Sequence, residues 1–361
     1  MTAARRCYLH VGLPKTGTSY LQDIFAQSRA ALADQGVSML LGSTADTFHL
    51  ALSVLDELSP EMDPPRAFRA LDRFREALAG LSSPTALLSQ ELLGAAQPHQ
   101  AARLLDALGG YQPHVVVTAR DLARYIPSAW QQQVKQRGLT SYEQYLGDFT
   151  DPAKGAHYPA YDLIGVLERW RECVAPDRIH VVTLPPSGAP SAVLLERFCA
   201  VLDVDPSAMD QETERRNDSL GMVQAELLRR VNVALGDRLP HPRAGYREQG
   251  KSFLGQTILA AQPGEPARLP RRLEQWCVDA SQDLADRLAG GGYHIVGDLG
   301  DLAPDPDAFT DDDRGVGDDA VARVATTALA EILVGRDVER RERQALRREV
   351  RALRKQAADP T

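Results

Sequence analysis

Five short apolar runs punctuate the first part of the chain: Cys7–Val11, Val37–Leu41, Thr85–Ser89, His114–Ala119 and Ile179–Leu184. Helical periodicity fills the intervals, over Thr18–Asp34, Ala45–Leu58 with Pro65–Ala79, His99–Leu108 and Leu122–Arg137. Strand-length runs that alternate with amphipathic helices dictate a parallel sheet covered by helices on both faces, because a parallel neighbour is reached only through a crossover. The fourth and fifth runs read as fully buried strands, and Tyr293-His294-Ile295-Val296, far downstream, reads as a possible edge strand. Open sheets of this kind bind ligands beyond the carboxyl ends of their strands, so the segments that follow each run are where chemistry belongs.

The turn after the first run carries the most of it. Residues His10 to Ser19 read His-Val-Gly-Leu-Pro-Lys-Thr-Gly-Thr-Ser. A strand, a glycine-containing turn and a helix N-terminus form an anion cradle, since backbone N–H groups converge there and the helix dipole adds partial positive charge. Lys15 adds a cation, and Thr16, Thr18 and Ser19 add hydroxyls. The ATP-binding loop is written G-x-x-x-x-G-K-[ST]. Gly12 and Gly17 have that spacing, but Thr18 stands where the lysine belongs, and the lysine lies three places earlier, behind Pro14. A plain kinase or NTPase reading therefore lacks its main phosphate ligand.

Pro14-Lys15-Thr16-Gly17-Thr18-Ser19 resembles the 5′-phosphosulfate loop, P-K-[TS]-G-T-[TS], of sulfotransferases that use 3′-phosphoadenosine 5′-phosphosulfate (PAPS). The resemblance implies that Lys15 contacts the bridging oxygen and leaving phosphate, while the loop amides and hydroxyls hold the 5′-phosphate. Val115-Val116-Val117-Thr118-Ala119-Arg120, followed eight residues on by Ser128, resembles the 3′-phosphate site of the same family. A phosphate monoester carries nearly two charges and suits a guanidinium fork with a hydroxyl donor. The resemblance extends in element order over residues 5 to 205. It implies an α/β, P-loop nucleotide-kinase-like three-layer fold, with a five-stranded parallel sheet in the order 2-3-1-4-5 and extra C-terminal helices. The implied donor site is Pro14, Lys15, Thr16, Gly17, Thr18, Ser19, Arg120 and Ser128, with PAPS as sulfuryl donor and no metal. Arg243, Arg247 and Lys251 sit in a late loop of the type that closes over the 3′-phosphate, although no spacing singles out one of them.

Sulfuryl transfer is an in-line displacement that needs a cation on the leaving phosphate and a base for the acceptor's proton. Glu91, just beyond Leu87-Leu88-Ser89-Gln90, stands at the end of the third run, where cytosolic sulfotransferases place a histidine and several glycan sulfotransferases a glutamate. A charge at a helix N-terminus is the other reading of Glu91. His49, in Thr47-Phe48-His49-Leu50, is the rival base, and a structural histidine is its plain alternative. Trp130, Gln131, Tyr142, Tyr145, Phe149, His157, Tyr158 and Tyr161 fit either a sugar-stacking acceptor cleft or the core. Pro127 is expected to bend or restart the helix just before Ser128.

Composition narrows the partners. The net charge of −8 argues against general nucleic-acid binding and requires a polyanionic donor to be held by a local basic pocket. Cys7, Cys173, Cys199 and Cys277 show neither metal nor disulfide spacing. No apolar run reaches the length of a membrane span, and the first strand leaves no room for a signal sequence, so a cytoplasmic enzyme is expected. The expected organisation is a sulfotransferase domain over 1–300, with its core at 5–205 and a closing helical part at 206–300. An acidic linker follows at 301–319, then a C-terminal helix with a basic end at 320–361, through which homo-oligomer formation is an open reading. The expected acceptor is a hydroxyl or amine of a carbohydrate, glycolipid or secondary metabolite. A small-molecule kinase and a non-catalytic nucleotide-binding protein are the alternatives.

Overall fold

The computed structural model describes residues 4–151, 154, 162–211, 219–239, 242–312 and 314–358, with side chains withheld at 242–244 and 352–358. The chain divides into two compact units, one of Met1–Trp130, Glu143–Asn217 and Arg268–Asp313, the other of Gln131–Tyr142, Asp218–Ala267 and Arg314–Thr361.

The first unit is built on a parallel sheet. Its strands are β1 (Arg6–Gly12), β2 (Val37–Met39), β3 (Thr85–Ser89), β4 (Gln112–Ala119) and β5 (Ile179–Thr183). The short pair β6 (Leu269–Pro270) and β8 (Phe309–Thr310) stands apart, while β7 (His294–Val296) joins the main sheet beside β5. The order is β2-β3-β1-β4-β5-β7. The sheet thus has six strands where five are expected, because the Tyr293–Val296 run pairs in parallel along β5.

Alternation of side chains sorts the strands into two cores. Cys7, Leu9 and Val11 of β1 face one side with Leu88, Val117 and Val181. There they pack on α3 (Thr44–Val54), α4 (Ala70–Ala79), α5 (Pro98–Asp106) and α8 (Leu163–Arg171). Tyr8, Leu87, Val116 and Val182 face the other, packing on α1 (Thr18–Gln27), α2 (Arg29–Asp34) and α9 (Ala192–Leu202). Trp130, Tyr145 of α7 (Tyr142–Thr150) and Trp170 are fully buried. The helix α6 (Leu122–Lys135) runs through Pro127, which forgoes one intrahelical bond. The unit also contains α11 (Glu274–Gly290), whose Trp276 meets Phe149 edge-on.

The second unit gathers α10 (Met222–Leu235), a π-helical stretch at Pro242–Leu259 and the 41-residue α12 (Asp318–Ala358). Buried Asn232 donates to the carbonyls of Val134 and Gly138 and accepts from the Tyr246 hydroxyl at 2.7 Å. Arg230 of α10 pairs with Asp318 at the start of α12. Val321 and Ala328 of α12 are buried, whereas Leu333, Leu346 and Val350 are exposed. Among the described residues no helix is long and apolar enough to cross a membrane.

Candidate anion-binding site

β3, β1 and β4 lie side by side and parallel, so the segments leaving their carboxyl ends meet at one edge of the sheet. The segment after β1 turns sharply. Lys15 has φ 67° and Gly17 φ 80°, both left-handed, and Gly17 caps the start of α1. Glycine suits that position, whereas a lysine there carries backbone strain. Alternating left-handed residues just before a helix N-terminus form a concavity of N–H groups suited to an anion.

The loop is held from both neighbouring strands. Leu13 donates its N–H to the Thr118 carbonyl, and the Thr118 hydroxyl donates to the Gly12 carbonyl at 3.1 Å. The Thr16 hydroxyl bonds the Leu13 carbonyl and meets the Thr118 hydroxyl. Arg120, just past β4, donates from Nη1 to the Lys15 carbonyl at 3.1 Å. On the β3 side, the Thr18 hydroxyl donates to the Glu91 carboxylate. Glu91 opens a 3₁₀ turn, Glu91–Ala95, whose Gly94 passes so close to β1 that a Cβ there would lie 2.7 Å from the Val11 carbonyl oxygen. Only glycine allows that approach, which brings the Glu91 turn against the end of β1.

Arg120 and its neighbours give the edge its charge. Burial pushes the Arg120 guanidinium below its ordinary value, with the nearby Arg124 charge adding to the effect. Its Nε is buried with no partner among the described residues. A buried cationic fork with an unused donor suits an anionic oxygen, so the residues present fit a phosphate group. Arg124 itself is committed elsewhere, to buried Asp121 and the Pro185 carbonyl.

The edge assembles most of the expected residues. Lys15, Thr16, Gly17, Thr18, Arg120 and Glu91 are joined by the bonds above, Pro14 precedes the turn, and Ser19 is exposed on the first turn of α1. Ser128 is nearly two turns into α6, and its hydroxyl donates to the Arg124 carbonyl of its own helix at 2.9 Å. His49 is buried on α3, the helix that packs on the Glu91 turn, and its Nδ1 has no partner among the described residues. Gln90 and Thr47 tie the same two segments at 3.5 Å. Of the aromatic candidates, Trp130 and Tyr145 are in the interior, and Gln131 is buried against the Leu220 carbonyl. His157, Tyr158 and Tyr161 lie outside the described residues, as does the Arg243 side chain. Among the described residues, no group of three or more His, Cys, Asp or Glu side chains is placed to hold a metal ion.

Three residues of the edge carry no signal in the sequence reading: Thr118, Ser89 and the His10 side chain. His10 is 1 % exposed, with Nδ1 2.8 Å from the Ser89 hydroxyl and Nε2 3.5 Å from the Thr118 hydroxyl. Gln22 of α1 donates to Ser89 at 3.2 Å. Burial pushes the His10 imidazole down to about 3, opposed by a hydrogen bond to the Gly12 carbonyl. The sequence hint is a histidine and two hydroxyl residues inside otherwise apolar strands.

Fold and site together define an α/β protein with a mostly parallel sheet and a strand–loop–helix anion cradle at its carboxyl edge. No family model matches the sequence, and no curated protein matches it. Among solved structures, the chain is similar to a crystal structure of a sulfotransferase from Alicyclobacillus acidocaldarius. That match is 17 % identical, covers 66 % of this chain and 96 % of that one, and has a TM-score of 0.35. At that level the likeness carries no argument about activity, which rests on the site.

Proposed function

We propose that this protein is a PAPS-dependent sulfotransferase of nucleotide-kinase-like architecture, acting on a hydroxyl or amine of a carbohydrate, glycolipid or secondary metabolite. The observation that carries the reading is the convergence of Lys15 and Arg120. The carbonyl of a loop lysine outside the ATP-loop position is held by a half-buried strand-end guanidinium whose buried Nε donor is unused among the described residues. Two separate cations at one edge suit a donor with two separate phosphate groups, and a cytoplasmic location accompanies a donor of that kind.

The roles follow from the residues. The donor supplies an activated sulfuryl group on its 5′-phosphate. Loop N–H groups with the hydroxyls of Thr16, Thr18 and Ser19 hold that phosphate, and Lys15 stabilises the charge that grows on it as the sulfur–oxygen bond breaks. Arg120, with Ser128 on the following helix, receives the 3′-phosphate, and Pro14 stiffens the turn. Glu91 accepts the proton of the acceptor as its oxygen or nitrogen bonds to sulfur, and His49 behind the Glu91 turn is the alternative base.

Isothermal calorimetry with 3′-phosphoadenosine 5′-phosphate and with ATP–magnesium tests the donor. The expected result is binding of the first and little of the second; ATP–magnesium binding alone would return the chain to the kinase class. Transfer of labelled sulfate from PAPS to extracted host metabolites and glycans then tests the reaction, and saturable donor binding without transfer to any acceptor would favour a non-catalytic binding protein.

A further inference from the structure

We propose that His10 is a positioning residue for the anion-binding loop, the centre of a one-way hydrogen-bond chain from Gln22 through Ser89, His10, Thr118 and Thr16 to the Leu13 carbonyl. The direction is the one that gives every proton in the chain an acceptor. The Gln22 side-chain nitrogen can only donate, so Ser89 accepts from it and has one proton left, which goes to Nδ1 of His10. A neutral imidazole that accepts at Nδ1 carries its proton on Nε2, the atom that faces the Thr118 hydroxyl. Thr118, having accepted, donates onward to the Thr16 hydroxyl or the Gly12 carbonyl, and Thr16 ends the chain on the Leu13 carbonyl. Every hydroxyl in the chain accepts once and donates once. With the proton on Nδ1 instead, Ser89 would accept twice and keep its own proton from this acceptor, and Nε2 would draw the Thr118 proton away from the Thr16 hydroxyl and the Gly12 carbonyl.

The chain runs across three adjacent strands, from β3 through β1 to β4, and its register is set by the pairing of His10 with Ser89 on one side and Val116 on the other. Its far end holds the Leu13 carbonyl, two residues before Lys15, with the Gly12 carbonyl the other acceptor open to the one Thr118 proton. Arg120 grips the carbonyl of Lys15 itself. In a trans peptide the following N–H points away from a carbonyl held in this way, so the Arg120 bond turns the Thr16 N–H to the opposite side. The strained φ of Lys15 persists because its surroundings are fixed from below. His10 reaches the loop through Thr118 and through its own hydrogen bond to the Gly12 carbonyl. Phe198 of α9 packs edge-on against the ring at 4.9 Å and holds its plane.

The function of the chain rests on the sulfotransferase reading, but its direction does not, and the test separates the two. In full-length protein with nitrogen-labelled histidine, the His10 ring should appear at pH about 7 as the neutral tautomer protonated at Nε2. Ser89→Ala should broaden or shift that signal by removing the donor at Nδ1. Thr118→Val should weaken 3′-phosphoadenosine 5′-phosphate binding roughly tenfold or more, the scale of one lost buried hydrogen bond, while Thr118→Ser keeps it within a few fold. A His10 protonated at Nδ1, or a cation at neutral pH, overturns the proposal even if the nucleotide binds. Equal affinities for Thr118→Val and Thr118→Ser overturn the positioning role. The Nε2 tautomer in a protein that binds no such nucleotide upholds the chain and removes the sulfotransferase reading instead.

Discussion

Three imidazoles locked in the neutral form make stability fall in mild acid. Burial pushes His10 and His180 down to about 3 and His114 to about 4. At His180 the neighbouring His114 and His294 add to burial, and at His114 the charges of Arg6 and Arg178 do so. His180 sits between the other two, 2.9 Å from His114 and 2.8 Å from His294 across three strands. Each folded value lies below the roughly 6.5 of an unfolded histidine, so acid protonates the unfolded chain first. The stability these groups lend is complete above about pH 6.5 and drains as pH falls toward the folded values. At about pH 5, fully buried His10 alone costs roughly 2 kcal/mol, and His180, less completely buried and bonded to two other imidazoles, adds less than that. His114 adds less, since it is partly exposed and shares a hydrogen bond with His180. Against a total of about 5–15 kcal/mol for a domain, that is a large loss. The carboxylates held low by arginines, Asp46 and Glu226, titrate in a more acid range, which leaves the window to the histidines. Urea unfolding followed by circular dichroism between about pH 7.5 and pH 5 measures it, and His180→Gln should flatten the slope by about one proton. A free energy flat across that window, or an unchanged slope in the variant, would refute the burial argument.

Three expectations concern the site. Lys15→Ala should reduce turnover roughly a hundredfold or more, because the charge on the leaving phosphate loses its cation; near-normal turnover removes Lys15 from the chemistry. Glu91→Gln should preserve nucleotide affinity in calorimetry and lose rate, whereas an unaltered rate together with an inactive His49→Ala would pass the role of base to His49. Arg120→Ala should weaken 3′-phosphoadenosine 5′-phosphate far more than adenosine 5′-phosphosulfate, and equal losses for both would place the 3′-phosphate elsewhere.

What the sequence made legible and what it hid follow from the range of the interactions. Val115–Ala119 and Ile179–Thr183 are continuous apolar runs, and such runs become interior strands on local pattern alone. β7 is three residues long, with His294 exposed, and becomes a strand only because β5 offers an unpaired edge. The loop was readable because its glycines, lysine and hydroxyls are contiguous. Its supports were not, since Ser89 is 79 residues from His10 and Thr118 is 102 from Thr16. Only strand register brings them together, and register is a property of the whole sheet. Trp130 and Tyr145 could not be assigned to cleft or core from composition, because an aromatic residue serves both, and burial decided it.

A carboxylate bonded to a loop built for anions is an electrostatic liability unless the reaction uses it. Thr18 has one hydroxyl proton, and in this structure it goes to Glu91. In the proposed reaction the same hydroxyl faces the donor's 5′-phosphate, and it cannot serve both. When the phosphate takes it, Glu91 loses a bond that favours its charged form and gains a negative neighbour, and both changes raise its affinity for a proton. In that proposed reaction the acceptor's proton would meet a stronger base once the donor is in place. On the proposed reading Lys15, in the same turn, would balance the opposing cost by meeting the negative charge of the phosphate. Placed one residue after Gly17, as in an ATP loop, the lysine would replace Thr18 and sever its bond to Glu91. If the proposed reaction holds, the displaced lysine and the glutamate at the end of β3 are two parts of one arrangement, in which the cation is moved back so that the Thr18 hydroxyl can stand between donor and base.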